Sequence, residues 1–137
     1  MAHLSLGTST ILAGGNEEQK TKYLPDLASG KKIAAFGLTE PSSGSDAADM
    51  QTTAVPCDGG YLINGSKIFI SNGVEAEITV FFVSTDRSIG AKGISAFVVH
   101  GDNPGLQANA QHGKLGLRAS STAEMVLNDC LFLKRTF

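Results

Sequence analysis

The sequence has little cysteine, no marked excess of charge of one sign and no long apolar run, and each absence excludes a class of protein. Cys57 and Cys130 are its two cysteines, too few and too far apart for a disulfide framework or a metal knuckle. Eleven basic against thirteen acidic side chains give a net charge of −2, which argues against nucleic-acid binding. The longest apolar runs, 78–83 and 94–99, have about six residues, whereas a membrane span needs ~20.

Glycine, by contrast, is abundant: 16 of 137 residues, which indicates many tight turns rather than long helices. With 42% hydrophobic and 18% charged residues, a chain of this length favours about one globular domain with a sizeable core. The first residues do not form a cationic stretch followed by an apolar one, so no secretory signal is predicted. We therefore expect an intracellular protein without a membrane span.

Up to about residue 32 the pattern is helical. Apolar positions predict a first helix over residues 2–13, which the following glycines end. Asn16 and Gln19 have the spacing of a capping box at the start of a second helix. Pro25 is predicted to limit or restart that helix. The helical stretch is short, so we expect it to be the end of a helical domain (1–32) whose beginning is absent.

After residue 32 the apolar pattern has a period of two, and β-branched and aromatic residues dominate. The predicted strands are 33–38, 51–55, 61–63, 66–70, 78–84, 94–100 and 123–127, with short pairing at 106–109 and 130–133. Asn64-Gly65 is predicted to turn a hairpin, and Asp58-Gly59-Gly60 a second reversal. Because no helices separate the strands, residues 33–137 are predicted to form an antiparallel β-sandwich or barrel, preceded by the short α-helical segment.

The segment 36–46, FGLTEPSSGSD, is the most informative. A strand leads into a hydroxyl, a carboxylate, a proline and a Gly/Ser turn, which together present backbone N–H groups and small hydroxyls to a ligand. From the residues alone, a purely structural turn held by Asp46 is the favoured interpretation. Glu40 is interpreted as a structural carboxylate that fixes the turn.

At this point the sequence resembles the acyl-CoA dehydrogenase family. The resemblance covers roughly residues 14–133 and rests on four motifs in the family's order. These are the stretch 17–30 leading into the middle domain, the signature loop 37–46, the segment NGSKIFISN at 64–72, and the segments 93–99, 104–105 and 114–120.

The resemblance implies that the β-domain holds the isoalloxazine ring of FAD against an acyl-CoA thioester. Leu38 and Thr39 match positions that hydrogen-bond the pyrimidine edge of the ring, where negative charge accumulates on reduction. Ser45 matches a position that touches both the cofactor and the CoA arm of the substrate. The implied cofactor-binding residues are Phe36, Leu38, Thr39, Gly44, Ser45, Phe69, Ile70 and Ser71. Phe69 and Ser71 stand where many relatives have Trp and Thr, and Asp49 replaces a small residue.

The implied reaction is α,β-dehydrogenation of the thioester, in which a carboxylate removes the α-proton and the β-hydrogen leaves as hydride. No residue matches the family's glutamate base, which follows the β-domain, so no catalytic residue is nominated and the chain alone is expected to be inactive. The resemblance further implies a separate electron-accepting flavoprotein, a homo-oligomer, and a location in the cytoplasm or mitochondrial matrix.

The histidines and the basic residues of the loop at 114–118 are not assigned to a cofactor or substrate. His3, His100 and His112 lack metal-ligand spacing, so no metal site is predicted. Lys114 and Arg118 form a small basic cluster, interpreted as ordinary solvated charge although it could approach a phosphate or a partner subunit. The missing base leaves one alternative open: a catalytically inactive β-sandwich module for binding or assembly. Removal of flanking helical domains would expose apolar surface, so self-association is also expected.

Overall fold

The computed structural model describes residues 2–133, so residues 134–137 of the predicted β-domain lie outside the described part. A π-helical segment, His3–Thr8, runs into helix α1 (Ser9–Gly14), and helix α2 (Glu17–Ala28) follows. The strands are β1 (Ala34–Gly37), β2 (Thr53–Cys57), β3 (Gly60–Ser71), β4 (Ile78–Ser84), β5 (Ile94–His100), β6 (Leu106–Ala110) and β7 (Thr122–Leu133). Short 3₁₀ turns cover Ala47–Asp49 and Arg87–Gly93.

Helix α2 begins as predicted and ends later than predicted. The Asn16 side chain accepts from the Gln19 N–H at 2.8 Å, and the Gln19 side chain accepts from the Asn16 N–H at 2.9 Å. The prediction that Pro25 limits or restarts the helix is wrong, because α2 continues through it to Ala28. Tyr23 and Leu27 are buried on either side of Pro25, so tertiary packing offsets the one helical hydrogen bond that proline removes.

The strands form one sheet, in the order β1-β4-β2-β3-β7-β6, with β5 on the other side of β4. The sheet curls into a half-barrel, and the predicted mainly-β class is confirmed. Most neighbouring strands are antiparallel. β1 and β2, however, pair with β4 in parallel, which the antiparallel prediction did not include. The β2–β3 hairpin supplies the crossover from β1 to β4 that a helix provides in a βαβ unit.

The predicted hairpin at Asn64-Gly65 is wrong. β3 runs straight through both residues, and its register with β7 shifts between Ile63 and Gly65, which marks a β-bulge. The Asn64 side chain accepts from the Asp129 N–H at 2.8 Å and donates to the Asp129 carboxylate at 3.1 Å. Of the two residues only Gly65 has a positive φ, 146°, and it uses it in the bulge. The predicted reversal at Asp58-Gly59 is confirmed, because Cys57 pairs with Gly60.

Two apolar clusters form the core. The larger lies inside the curled sheet and includes Ile63, Phe81, Phe97, Met125 and Leu127. The smaller joins the helices to β1 and β4, and it contains Ile11, Tyr23, Leu27, Ala34, Ile78 and Val80. Helices and sheet are therefore packed against each other through a common apolar surface, which fixes the position of β1 and of the loop that follows it.

We predict that Gly65→Ala lowers the free energy of unfolding by about 3 kcal/mol, because the backbone at this bulge leaves no room for a side chain. An added Cβ would lie 2.5 Å from Thr52 Oγ1 and 2.7 Å from Thr52 Cα. Urea denaturation measures the change. Gly59→Ala is the matched control, since Gly59 also has positive φ, 76°, but open space around its Cβ position; it should cost only about 1 kcal/mol. Equal losses in both variants would contradict the prediction.

Candidate functional site

The loop after β1 and the end of β3 are in direct contact. The Thr39 carbonyl accepts from the Ile68 N–H at 2.9 Å, and the Leu38 carbonyl accepts from Lys67 Nζ at 3.1 Å. The two stretches that sequence analysis assigned to a cofactor, 38–45 and 69–71, are therefore neighbours in space. We call these two stretches together the candidate wall.

A buried ion pair underlies the candidate wall. Lys67 Nζ lies 2.7 Å from Glu40 Oε1, and the two side chains are 0% and 2% exposed. The Glu40 carboxylate also accepts from the backbone N–H groups of Gln51, at 2.6 Å, and Thr52, at 3.0 Å. Through this one carboxylate the end of β1, the start of β2 and the middle of β3 are tied together. Glu40 thus has the structural role that was predicted for it.

Lys67 is the residue of the site that sequence reasoning missed. It lies in β3 between Ser66 and Ile68, just before an apolar stretch, and a lysine that a strand buries is a signal that its ammonium has a partner. Its partner, Glu40, is 27 residues away. That separation gives no periodicity from which the pairing could be found.

The environment of the pair determines its ionisation. Burial alone raises the pKa of Glu40, but the hydrogen bonds from Lys67, Thr52 and the Gln51 backbone outweigh it, and the pKa of Glu40 lies below its ordinary value. Burial lowers the pKa of Lys67, and the neighbouring Glu40 carboxylate only partly opposes this effect. Glu40 is therefore a carboxylate with a lowered affinity for protons and occupied oxygens, a poor general base.

The loop after Glu40 is held by its own polar groups. Backbone hydrogen bonds join Glu40 and Ser43 in both directions, at 2.8 and 3.3 Å. The buried Ser43 hydroxyl donates to the Asp46 carbonyl at 2.6 Å. The Asp46 carboxylate accepts from the Ala48 N–H at 3.2 Å, so its predicted role as a loop-holding acceptor is confirmed. Within this Ser-rich loop, Ser43 is structural, whereas Ser45 is exposed.

The hydroxyls of Thr39, Ser45 and Ser71 share one property: none of them hydrogen-bonds to any group within residues 2–133. These are the three hydroxyls that sequence analysis assigned to cofactor or substrate. Ser43, two residues before Ser45, is joined to the rest of the wall by its backbone bonds with Glu40. Gly44 has open space where a Cβ would be, so packing within the described chain does not require glycine there.

Phe69 projects from a second bulge of β3. The register with β7 shifts between Lys67 and Ile70, and Phe69 has φ 59° with 64% of its surface exposed. Ile70 is buried in the core, so it can meet a ligand only through its backbone. Phe36 of β1 is half-buried, and its ring packs against that of Phe82 of β4, with the ring centroids 5.0 Å apart.

His3 and Lys114 have structural partners. The His3 ring accepts from the Ala34 N–H at 2.8 Å, and its other nitrogen lies 3.0 Å from the Leu27 carbonyl. Lys114 donates to the carbonyls of Leu117 and Ser120 and to the Thr122 hydroxyl, so it closes its own loop. Within residues 2–133 no group of three potential metal ligands is found, and no helix is long and apolar enough to span a membrane.

Two surface concavities lie away from the candidate wall. One of about 450 Å³ lies between the bulge at Gly65, β6 and β7, and another of about 80 Å³ lies between α1 and strands β4 and β5. The wall, with Ser45 and Phe69 exposed, is an open face. Its assignment therefore depends on the chemistry of its residues and not on an enclosed volume.

Comparison with known families identifies the chain. Residues 35–130 match the family model described as the acyl-CoA dehydrogenase middle domain, and residues 1–31 match that of the acyl-CoA dehydrogenase N-terminal domain. The chain belongs to the acyl-CoA dehydrogenase family.

Individual acyl-CoA dehydrogenases are similar over nearly all of the chain. The short-chain specific acyl-CoA dehydrogenase of Clostridium acetobutylicum is 52% identical over 130 residues, which cover 95% of this chain and 34% of that protein. A glutaryl-CoA dehydrogenase from Mycobacterium smegmatis, solved in complex with FADH2, superposes with a TM-score of 0.86 at 42% identity, over 92% of this chain and 31% of that one.

A chain from a study of the electron transferring flavoprotein of Acidaminococcus fermentans superposes with a TM-score of 0.94 at 48% identity. The match covers 97% of this chain and 35% of that one. The present chain thus spans about a third of the length of the curated relatives it matches.

We predict that Lys67→Met lowers the free energy of unfolding by about 3–5 kcal/mol, because it leaves a buried carboxylate without its counter-charge. The double variant Glu40→Gln/Lys67→Met should lose clearly less, since it removes both charges and keeps similar side-chain volumes. Urea denaturation of the wild type, Lys67→Met, Glu40→Gln and the double variant measures the coupling free energy between the two side chains. Additive losses would contradict a direct interaction.

The lowered pKa of Glu40 predicts a loss of stability in acid. The pKa of Glu40 in the folded protein lies below the ordinary value of 4.5. The stabilisation that the ionised Glu40 gives the fold is therefore complete above pH 4.5 and is lost as the pH falls through the folded-state pKa. The free energy of unfolding of the wild type should therefore fall more steeply below about pH 4.5 than that of Glu40→Gln. Other acidic groups affect both proteins equally, so parallel curves would refute the contribution of Glu40.

Proposed function

We propose that this chain supplies the wall that faces flavin and acyl-CoA in an FAD-dependent acyl-CoA dehydrogenase. In this proposal residues 1–32 end a helical domain, and residues 33–137 form the middle β-domain. The observation that supports the proposal is the arrangement of the candidate wall: two stretches fixed by internal hydrogen bonds present hydroxyls without internal partners beside an exposed aromatic ring.

The residues of the wall fit a flavin in chemical terms. The exposed ring of Phe69 offers a surface on which a planar tricyclic group can pack. The Thr39 hydroxyl and the Ser71 hydroxyl, on opposite stretches of the wall, offer hydrogen bonds to the polar edges of such a group. Ser45, exposed on the loop, is in place to contact the CoA arm. When bound, FAD would supply the two-electron acceptor for the hydride that leaves the acyl chain.

The roles proposed for this chain are binding and orientation. Hydrogen-bond donors on the wall favour the ring when it becomes negatively charged, and the rigid connection through Glu40 and Lys67 holds them in place before the substrate arrives. We assign no general base among residues 2–133. Glu40, the carboxylate beside the wall, has its oxygens occupied by Lys67 and two backbone N–H groups, so the α-proton must be taken by a group that these residues do not provide.

Further expectations belong to the same proposal. The oxidised product is an enoyl-CoA, and the electrons pass to a separate electron-accepting flavoprotein. We also propose that the enzyme is a homo-oligomer in the cytoplasm or mitochondrial matrix. The 137 residues alone are proposed to be inactive for want of a base. Steady turnover of an acyl-CoA by these residues alone would refute that part.

A second candidate is an inactive module for binding or assembly. Two leucines favour it, because Leu115 is 99% and Leu117 85% exposed on the loop between β6 and β7, more apolar surface than an isolated loop needs. Flavin binding distinguishes the two candidates: the module would leave the flavin spectrum unchanged, whereas the dehydrogenase wall would perturb it.

We predict that titration of FAD with the full gene product shifts the flavin absorption spectrum. Thr39→Val and Ser71→Ala should each weaken binding about five- to tenfold, because each removes one hydrogen bond to the ring. Thr21→Val is the matched control, since Thr21 is an exposed threonine of helix α2 remote from the wall. An unchanged spectrum with the wild type would overturn the proposed function. Equal weakening in Thr21→Val would overturn the assignment of the wall.

A further inference from the structure

The Lys67 ammonium is bonded to a peptide group of the candidate wall. Lys67 Nζ donates to the Leu38 carbonyl at 3.1 Å. That carbonyl and the Thr39 N–H belong to the same peptide unit. A group that polarises the Leu38 carbonyl therefore also changes the strength of the Thr39 N–H as a hydrogen-bond donor, because the two ends of a peptide unit share one delocalised bond system.

The Thr39 N–H has no acceptor within residues 2–133. The ladder between β1 and β4 ends at the pairing of Gly37 with Phe81, and no carbonyl or side chain among the described residues accepts from Thr39 beyond it. A donor next to an exposed wall and without an internal acceptor is available to a ligand. Its strength as a donor is then a property that the protein can adjust.

A hydrogen bond from a charged donor polarises the peptide unit that accepts it. Charge-assisted bonds are roughly twice as strong as neutral ones, and neighbouring bonds in a chain strengthen each other, most of all where water is excluded. Lys67 is fully buried. Its positive charge therefore acts on the Leu38–Thr39 peptide with little screening by solvent, and it makes the Thr39 N–H the better donor.

We propose that Lys67 acts through the Leu38–Thr39 peptide to strengthen the Thr39 N–H, and that it thereby raises the reduction potential of the bound flavin. The inference rests on the proposed function, because it needs the flavin on this wall. A stronger donor at the edge of the ring where negative charge accumulates favours the reduced form over the oxidised form. Lys67 is a positioning residue in this role, since it touches neither flavin nor substrate.

Glu40 keeps Lys67 in the state that this role requires. Burial alone favours the neutral amine, and the carboxylate 2.7 Å away holds the charged form and aims it at Leu38. The charge of Glu40 is itself shared with the N–H groups of Gln51 and Thr52. The carboxylate therefore has two further donors besides Lys67, while the ammonium contacts the wall peptide directly.

The first experiment needs no flavin. In the full gene product, the ¹⁵N chemical shift of Thr39 and the carbonyl ¹³C shift of Leu38 are compared among the wild type, Lys67→Arg and Lys67→Met. Both nuclei report hydrogen bonding at the Leu38 carbonyl. Both shifts should move upfield in Lys67→Met, and Lys67→Arg should restore most of the wild-type values. Unchanged shifts in Lys67→Met would overturn the polarisation.

The second experiment measures the dissociation constants of oxidised and reduced FAD. In Lys67→Met the preference for the reduced form should fall about fivefold relative to the wild type, and Lys67→Arg should regain most of it. Ile63→Ala is the matched control: Ile63 is fully buried at the other end of β3, so this variant loses stability and should keep the wild-type preference. If Lys67→Met does not fold, Glu40→Gln/Lys67→Met takes its place, with the same fivefold loss expected.

The outcomes separate this inference from the proposed function. If the wild type binds neither form of FAD, the proposed function fails and the redox role fails with it, while the shifts of Leu38 and Thr39 still decide whether Lys67 polarises the peptide. If FAD binds and the preference for the reduced form is the same in Lys67→Met and the wild type, the proposed function stands and the inference is overturned. An equal loss in Ile63→Ala would also overturn it.

Discussion

The buried ion pair between Glu40 and Lys67 is the interaction on which the rest of the site depends. It joins the end of β1, the start of β2 and the middle of β3, three segments that no local hydrogen bond could bring together. Burial of two charges does not by itself stabilise a fold, because the cost of desolvation rivals the attraction between them. What the pair provides is a specific arrangement: any displacement of the loop after β1 would leave a charge buried without its partner.

The polar groups around this pair fall into two sets, those with a hydrogen-bond partner within the described chain and those without one. Inside the site each one has an internal bond, as the Ser43 hydroxyl has with the Asp46 carbonyl. The hydroxyls of Thr39, Ser45 and Ser71, in residues that are half-buried or exposed, have none within the described chain. Buried polar groups need hydrogen-bond partners within the protein, whereas accessible ones can bond to solvent or to a ligand. In this Ser-rich turn the Ser43 hydroxyl holds the loop together, whereas the hydroxyl of Ser45, two residues later, is left accessible.

Sequence reasoning succeeded where the determinant is local. β4 and β5 have the predicted bounds because their apolar patterns decide burial, and the Asn16 capping box forms because its partners are three residues apart. The predicted hairpin at Asn64-Gly65 was wrong, because the positive φ of Gly65 suits a β-bulge as well as a turn. The residues of the candidate site could be named from the family motifs, but the burial of Lys67 could not be predicted, because its partner is a carboxylate in the distant loop after β1.

The backbone at Phe69 is held in a strained conformation by its neighbours. A positive φ at a non-glycine residue costs on the order of 1 kcal/mol, and Phe69, at 59°, lies in a bulge with its ring exposed. The strain persists because the residues on both sides are held, Ile68 by the Thr39 carbonyl and Ile70 by the core. Strain of this kind, enforced by neighbours and directed at solvent, is typical of a surface preorganised for binding. The same hydrogen bond that joins the two stretches of the wall therefore also keeps its aromatic ring outward.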